Sequence, residues 1–334
     1  MSTPQSSVRL GIIGAGGIAR RHAGVLQGME DVRIVAVADT DVARAEAFAT
    51  ELGAGAYRSS EEMLQREALD AVYICVPPFA HGAPEDAVIG AGLPFFVEKP
   101  LSVDLATAEA TAAKVERSGL ITATGYHLRY LDTVEEARNL LADNPARLVS
   151  GYWLDQTPPP RWWWQQSASG GQIVEQATHI IDLARYTVGE IVEVFAQSVQ
   201  VSRADFPGLD VAAATSVTVR FANGAVGTFT ATCLLRWSHR IGLHLFADGL
   251  AIELSDRDIM VDVGHGRPVR QAGQDPVYLE DRDFIDAVLG ATNRIRCPYG
   301  EALKTHRVAL AIARSAETGM PVRLHHQIAE PADA

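Results

Sequence analysis

Three groups of residues in this 334-residue chain have the types and spacing that chemistry needs. The first is the turn Gly14-Ala15-Gly16-Gly17-Ile18-Ala19, a GxGxxA pattern between the apolar run Val8–Ile13 and the helical stretch Ile18–Leu26. Gly14 allows a tight turn, Gly16 lets backbone approach a pyrophosphate, and Ala19 is small enough for helix and strand to pack closely. The helix start, at Gly17 and Ile18, then offers free N–H groups and partial positive charge to phosphates. Asp39 stands 20 residues beyond Ala19, at the end of the run Val32–Ala38, where a carboxylate meets the ribose hydroxyls of a dinucleotide. An acid there repels a 2′-phosphate, which favours NAD over NADP. Arg44 is near enough in sequence to accommodate that phosphate, so NADP stays possible.

The second group is Glu98-Lys99-Pro100, after the run Phe95–Val97. A lysine at the C-terminal end of a parallel strand sits where open α/β sheets bind ligands. Glu98 would hold its ammonium, and a drier site would lower its pKa. The plain alternative is a structural ion pair between the two. The third group is Glu175, His179 and Asp182. An i,i+4 spacing puts Glu175 and His179 on one helix face, and a carboxylate beside an imidazole fixes its tautomer and raises its pKa. That suits a proton acceptor. The same spacing fits half a metal site, but no third ligand has matching spacing, and no metal is expected; an exposed helix pair is the other reading. Asp182 with Arg185 reads as an ordinary i,i+3 salt bridge.

Elements must position these groups. Short apolar runs at Val8–Ile13, Val32–Ala38, Ala71–Val76, Phe95–Glu98 and Leu120–Thr124 alternate with helical stretches, among them 41–52, opened by Asp41, and 104–118, closed by Gly119. Such alternation predicts a doubly wound parallel sheet of the Rossmann type over residues 7–125. From 126 to 327 the pattern changes to an α+β domain with a large, mostly antiparallel sheet, expected to bind substrate and to oligomerise. Its long strand-like runs are 147–154, 191–201, 211–221, 225–232, 241–246 and 250–254. Asn223-Gly224 and Asp248-Gly249 between them signal hairpins whose turns need φ > 0 at both positions. Helices are expected over 132–141, 171–186 and 300–318, and an edge strand over 322–324. The stretches 155–168 and 264–276 read as irregular, and residues 1–6 and 328–334 as frayed tails.

Arg161-Trp162-Trp163-Trp164 lies in the first irregular stretch. Three adjacent tryptophans cannot all face one core. They fit a wall of a substrate pocket, with Trp163 taken as a substrate residue, an oligomer contact, or packing of the loop. Tyr126 and Arg129, with His127 between them, follow the last parallel strand and would line the cleft between domains or pack a hinge. The other histidines, His239, His244, His265, His306, His325 and His326, show no ligand spacing.

A formal net charge of −12 argues against nucleic acid or anionic membrane as a partner. No window is long and apolar enough for a signal peptide or a membrane span. Cys75, Cys233 and Cys297 form no CxxC, and their odd number suits a reducing cytoplasm.

With the glycine turn, Cys75–His81 (CVPPFAH), Glu98-Lys99-Pro100 and Gly170–Asp182 (GGQIVEQATHIID), the chain resembles the glucose–fructose oxidoreductase / inositol dehydrogenase / MocA family from Arg9 to about Leu324. The resemblance implies an NAD(P)-dependent dehydrogenase acting on CH–OH groups of a sugar, polyol, inositol or related cyclic compound, as a homodimer or homotetramer. Lys99 corresponds to the lysine that hydrogen-bonds the reacting hydroxyl, and His179 to the acid or base. Glu175 stands where many members carry aspartate, and Ala177 where glycine is frequent. Asp182 matches a further acid, and His81 a histidine near the cofactor. The cofactor would then touch Gly14, Gly16, Gly17, Ile18, Asp39, Pro77, His81, Glu98 and Lys99. A non-catalytic dinucleotide-binding sensor is the alternative; it would keep the glycine turn and lose the proton-handling pair, which is present here.

Overall fold

The structure is a computed structural model that describes residues 7–324; the expected tails, 1–6 and 328–334, and His325 and His326 lie outside the described residues. The first half runs β1 (Val8–Ile13), α1 (Gly17–Leu26), β2 (Val32–Ala38), α2 (Val42–Leu52), β3 (Gly55–Tyr57), α3 (Ser60–Arg66), β4 (Ala71–Ile74), α4 (Ala83–Gly90), β5 (Phe95–Val97), α5 (Leu105–Ser118) and β6 (Thr122–Thr124). These strands form a six-stranded sheet in the order β3-β2-β1-β4-β5-β6, all pairs parallel. β4 and β5 are buried at every position, as strands covered by helices on both faces must be. Asp41 caps α2 by accepting from the Arg44 N–H, and Asp104 caps α5 by accepting from Thr107.

The second half runs α6 (Asp132–Leu141), β7 (Leu148–Gln156), α7 (Gln166–Ser169), α8 (Gly171–Glu175), α9 (Thr178–Val188), β8 (Ile191–Val199), β9 (Ala214–Phe221), β10 (Val226–Leu235), β11 (Arg240–Ala247), β12 (Leu250–Ser255), β13 (Asp258–Asp262), β14 (Val269–Gln271), α10 (Pro276–Val288), α11 (Tyr299–Thr318) and β15 (Val322–Arg323). Nine strands form one sheet, β14-β13-β12-β11-β7-β10-β9-β8-β15, antiparallel except for the β7–β10 pair. Burial alternates along β9 and β10, so one face is covered and the other is open. The covered face packs under α9 and α11 in one apolar core.

Both expected hairpins form, but with a different turn. Gly224 (φ +85°) and Gly249 (φ +64°) take positive φ, while no other residue type among the described residues does. The Asn223 side chain instead bonds outward, donating to the Val188 carbonyl and accepting from the Ala225 N–H.

The chain returns to the first sheet near its end. Phe284 and Ile285 of α10 join the core on one side of that sheet, and Cys297, Tyr299, Ala302 and Leu303 join the core on the other. Sequence spacing showed no helix at α10, because buried Glu280 and Asp281 interrupt its apolar stripe. It also showed no α3, α4, β3 or β13, and 264–276, expected to be irregular, contains β14. Among the described residues no helix is long and apolar enough to cross a membrane. Cys75, Cys233 and Cys297 are free and buried.

Candidate active site

The strand order of the first sheet reverses between β1 and β4, the point beyond whose C-terminal strand ends open α/β sheets bind ligands. Gly14 sits at that point with φ +96°, and a Cβ on it would lie 2.3 Å from the Cys75 carbonyl oxygen. No larger residue can connect β1 to α1 this close to β4. Gly16 and Gly17 are open: a Cβ on either would meet nothing within 4 Å. The first-turn N–H groups of α1 have no intrahelical acceptor, and no acidic side chain stands in that turn. Backbone of this shape fits a dinucleotide pyrophosphate.

Asp39 is oriented by the backbone, accepting from the Ala15 N–H (2.8 Å) and the Asp41 N–H (2.8 Å). Arg44 lies 3.7 Å from Asp39 and 3.3 Å from Asp41. It is engaged with both acids. His81, after Pro77 and Pro78, pairs through Nδ1 with Glu85 (2.5 Å), and its buried Nε2 has no partner.

Lys99 leaves the end of β5 and reaches across to α8. Its ammonium donates to Glu175 Oε1 (2.9 Å) and to the Glu175 carbonyl (2.7 Å). Glu98 is not its ion-pair partner, contrary to the expectation. The Glu98 carboxylate accepts from the Lys99 backbone N–H (3.0 Å) and meets His22 Nε2 (3.0 Å), and a Cβ on Gly125 would strike it. His22 Nδ1 lies 2.8 Å from Asp281, which also accepts from Tyr73 (3.2 Å). Burial acts against a charge on His22, yet Asp281 and Glu98 outweigh it and raise its pKa well above the ordinary value. His22, Tyr73 and Asp281 escaped the sequence reading. The signal was there for His22: it lies in the apolar stripe Ala19, Ala23, Leu26 of α1, where a buried imidazole needs partners.

The expected helix over 171–186 is two helices. The Gln172 carbonyl accepts from Ala177 as well as Gln176, widening the turn, and α9 starts afresh at Thr178. Glu175 and His179 therefore do not share a face. Glu175 turns to Lys99, while the His179 ring stacks on Trp153 (centroids 5.8 Å apart, 19°) and meets His127 (4.8 Å) and Tyr126 (5.8 Å) edge-on. Its Nδ1 is buried without a partner. The pKa of His179 falls well below the ordinary value, first through burial, then through the charges of Lys99 and His127. The expectation of a raised value is thus corrected: no carboxylate offsets the desolvation. Burial likewise pushes His127 down to about 4, against the pull of Glu98. Trp153 had no signal in sequence, since only the pleat of β7 decides which of its residues face α9.

Other expected site residues face inward. The Tyr126 hydroxyl bonds Thr178 (2.9 Å). Arg129 grips Asp182 through two bonds of 2.7 Å and reaches Glu301 (3.2 Å) and the Arg296 carbonyl (2.9 Å). The expected i,i+3 salt bridge of Asp182 with Arg185 also forms, at 3.9 Å, and Arg185 bonds Glu190 (2.8 Å) and Glu301 (3.0 Å) besides. Trp163 is 1% exposed and donates to Glu175 Oε2 (2.7 Å). Trp162 and Trp164 pack beside it with Leu209 and Val211.

Comparison with known proteins shows the family. A family model described as an oxidoreductase family with an NAD-binding Rossmann fold matches residues 8–126, and the GFO/IDH/MocA C-terminal domain model matches 145–249. A myo-inositol 2-dehydrogenase of Thermotoga maritima is 31% identical over 229 residues, covering 66% of this chain and 67% of its own. An uncharacterized oxidoreductase of Bacillus subtilis, YrbE, is 25% identical over 95% of this chain and 96% of its own. The WlbA dehydrogenase of Bordetella pertussis, solved with NADH and UDP-GlcNAcA, has the same fold, with a TM-score of 0.84 at 20% identity over 96% of this chain and all of its own. The chain belongs to the GFO/IDH/MocA family of NAD-binding oxidoreductases.

Proposed function

We propose that this chain is an NAD-dependent dehydrogenase that oxidises a CH–OH group of an inositol, sugar, polyol or related cyclic compound, or reduces the matching carbonyl. The observation that carries the reading is that the Lys99 ammonium, held at the end of β5, lies near enough to the buried His179 imidazole for its charge to act on it, with His179 Nδ1 unpartnered, in a chain that also carries the open glycine turn. Relatives point the same way in substrate: they include a myo-inositol 2-dehydrogenase and a scyllo-inositol 2-dehydrogenase (NAD+).

Gly14, Gly16, Gly17 and Ile18 would hold the pyrophosphate and Asp39 the ribose. Pro77, His81, Glu98 and Lys99 would border the rest of the cofactor. Bound NAD would supply the hydride acceptor. An ammonium has three N–H donors, and Glu175 takes two of those of Lys99, leaving one for the substrate oxygen. His179, neutral at pH 7, can take the hydroxyl proton as the carbon gives up hydride. Glu175 keeps Lys99 aimed. Arg129 ties α9 to the segment leading into α11 rather than reaching substrate.

The division into a cofactor domain (7–125) and a substrate and oligomerisation domain (126–327) belongs to this reading, with α10 and the start of α11 returning to the first sheet. The open face of the nine-stranded sheet supports a homodimer or homotetramer. Phe246, Leu148 and Val226 lie in register across three strands and are all exposed there. Three free buried thiols suit a reducing cytoplasm.

The test is titration with NADH and with NADPH, followed by a screen of inositols and sugars with the tighter-binding cofactor. NADH should bind more tightly. Lys99→Ala should lose about 10²–10⁴ in kcat and keep NADH binding. Binding of neither dinucleotide, or full-rate turnover by Lys99→Ala, would overturn the reading.

A further inference from the structure

Trp163 is an odd residue to bury here. It sits in a one-turn 3-10 segment (Arg161–Trp164) between two other tryptophans, yet it alone of the three is fully buried. A buried indole N–H needs an acceptor, and the simplest acceptor for a packing residue is a nearby backbone carbonyl. Trp164 follows that rule and donates to the Pro158 carbonyl (2.8 Å). Trp163 instead donates to the carboxylate of Glu175.

That carboxylate is bound from both sides. Oε2 accepts from Trp163 (2.7 Å), and Oε1 accepts from Lys99 (2.9 Å), whose ammonium also reaches the Glu175 carbonyl. From the geometry we infer that Trp163 is a positioning residue for Lys99, acting through Glu175; the inference rests on the dehydrogenase reading above. Without the indole, one oxygen of Glu175 is unheld, the carboxylate is free to turn about its terminal torsion, and the ammonium loses a fixed acceptor. With it, the ammonium is held at two points and its third N–H direction is defined. Glutamate suits the task because its extra methylene, relative to aspartate, carries the carboxylate out from the end of α8 to a gap between β5 and the tryptophan loop. The loop before the helix is thereby wired to the strand-end lysine of the other half of the molecule.

The charged and titratable groups around this pair are Lys99 and Glu98 from the end of β5, His127 from the 3-10 turn after β6, and His179 from α9. None of them donates to Glu175 Oε2, so the indole is the donor whose loss the carboxylate should feel.

Two measurements test the inference. The first needs no turnover: the indole ¹H–¹⁵N resonance of Trp163, assigned by its absence in Trp163→Phe, is compared in the wild type and Lys99→Ala, each with NADH bound. Coupling through Glu175 predicts a clear shift of that resonance on loss of the ammonium. An unmoved resonance overturns the inference. The second is kcat and NADH affinity in Trp163→Phe, which keeps the ring and deletes one N–H. Loss of the donor that holds the carboxylate should lower kcat about tenfold or more with NADH affinity unchanged. An unchanged kcat in the folded variant means that Trp163 only packs the loop, and sinks the proposal. Should Trp163→Phe not fold, Glu175→Gln in place of it must move the indole resonance, since the acceptor loses its charge; a constant resonance is again fatal. A wild type that oxidises no inositol or sugar with NAD would instead overturn the dehydrogenase reading, and the NMR comparison would still decide the coupling.

Discussion

His22 and His179 are both buried imidazoles, one against Glu98 and the other near Lys99, and they are held in opposite ways. His22 has a carboxylate at each ring nitrogen, Asp281 on one side and Glu98 on the other, and its pKa is raised. His179 has aromatic rings around it, no partner at Nδ1, and a lowered pKa. Burial disfavours the charged form in both cases; only the partners differ. A saturated imidazole has nothing left to offer a ligand and serves the fold. An unsaturated one costs stability when buried, and beside a lysine it is a candidate for chemistry, which is why the proposed function rests on it. The Arg129–Asp182 pair follows the rule of His22: both oxygens of Asp182 are taken by the guanidinium, inside the second half of the chain.

The contrast can be broken by mutation. His179→Leu should cost about 10²–10⁴ in kcat while leaving unfolding stability unchanged or raised, since it removes a buried polar ring that lacks a partner. Retained turnover would mean that the two histidines are not different in kind. Asp281→Leu should do the reverse in stability, losing about 3–5 kcal/mol in urea unfolding because it strands a charged imidazole. A loss below about 1 kcal/mol, the range of exposed pairs, would show that the His22 chain is not the strut proposed here.

A finer test uses pH. The raised pKa of His22 means that its contribution is fully present below the ordinary histidine value and is lost as pH rises through the folded-state value. Wild-type stability should therefore decline above about pH 6.5, and Asp281→Leu should flatten that decline. His127, folded at about 4, has the opposite sign: its neutral burial favours the fold above the ordinary value, and this is lost as pH falls from the ordinary value toward 4. His127→Phe should flatten the acid slope by at most about 1.4 kcal/mol per pH unit. Matching slopes of one sign in both variants would erase the distinction.

Much of this was legible in the chain. The Rossmann half reads from its apolar runs because its inner strands, such as β4 and β5, are buried on both faces. The glycine turn reads because only glycine fits at Gly14. The strands of the second sheet read from alternation, since one face is open. Hidden from view were α10, whose buried acids mimic an exposed face, and the break before α9, which depends on one shared carbonyl at Gln172.

Local pattern therefore determined the fold class, the cofactor cradle and the presence of Lys99, Glu175 and His179, because periodicity and turn chemistry act within a few residues along the chain. Which of these groups pair was decided only by the tertiary structure. Lys99 to Glu175, Trp163 to Glu175 and His22 to Asp281 join positions 76, 12 and 259 residues apart. Each pairing is fixed by how helices and strands pack, and the partners so brought together set which of two buried imidazoles keeps its proton.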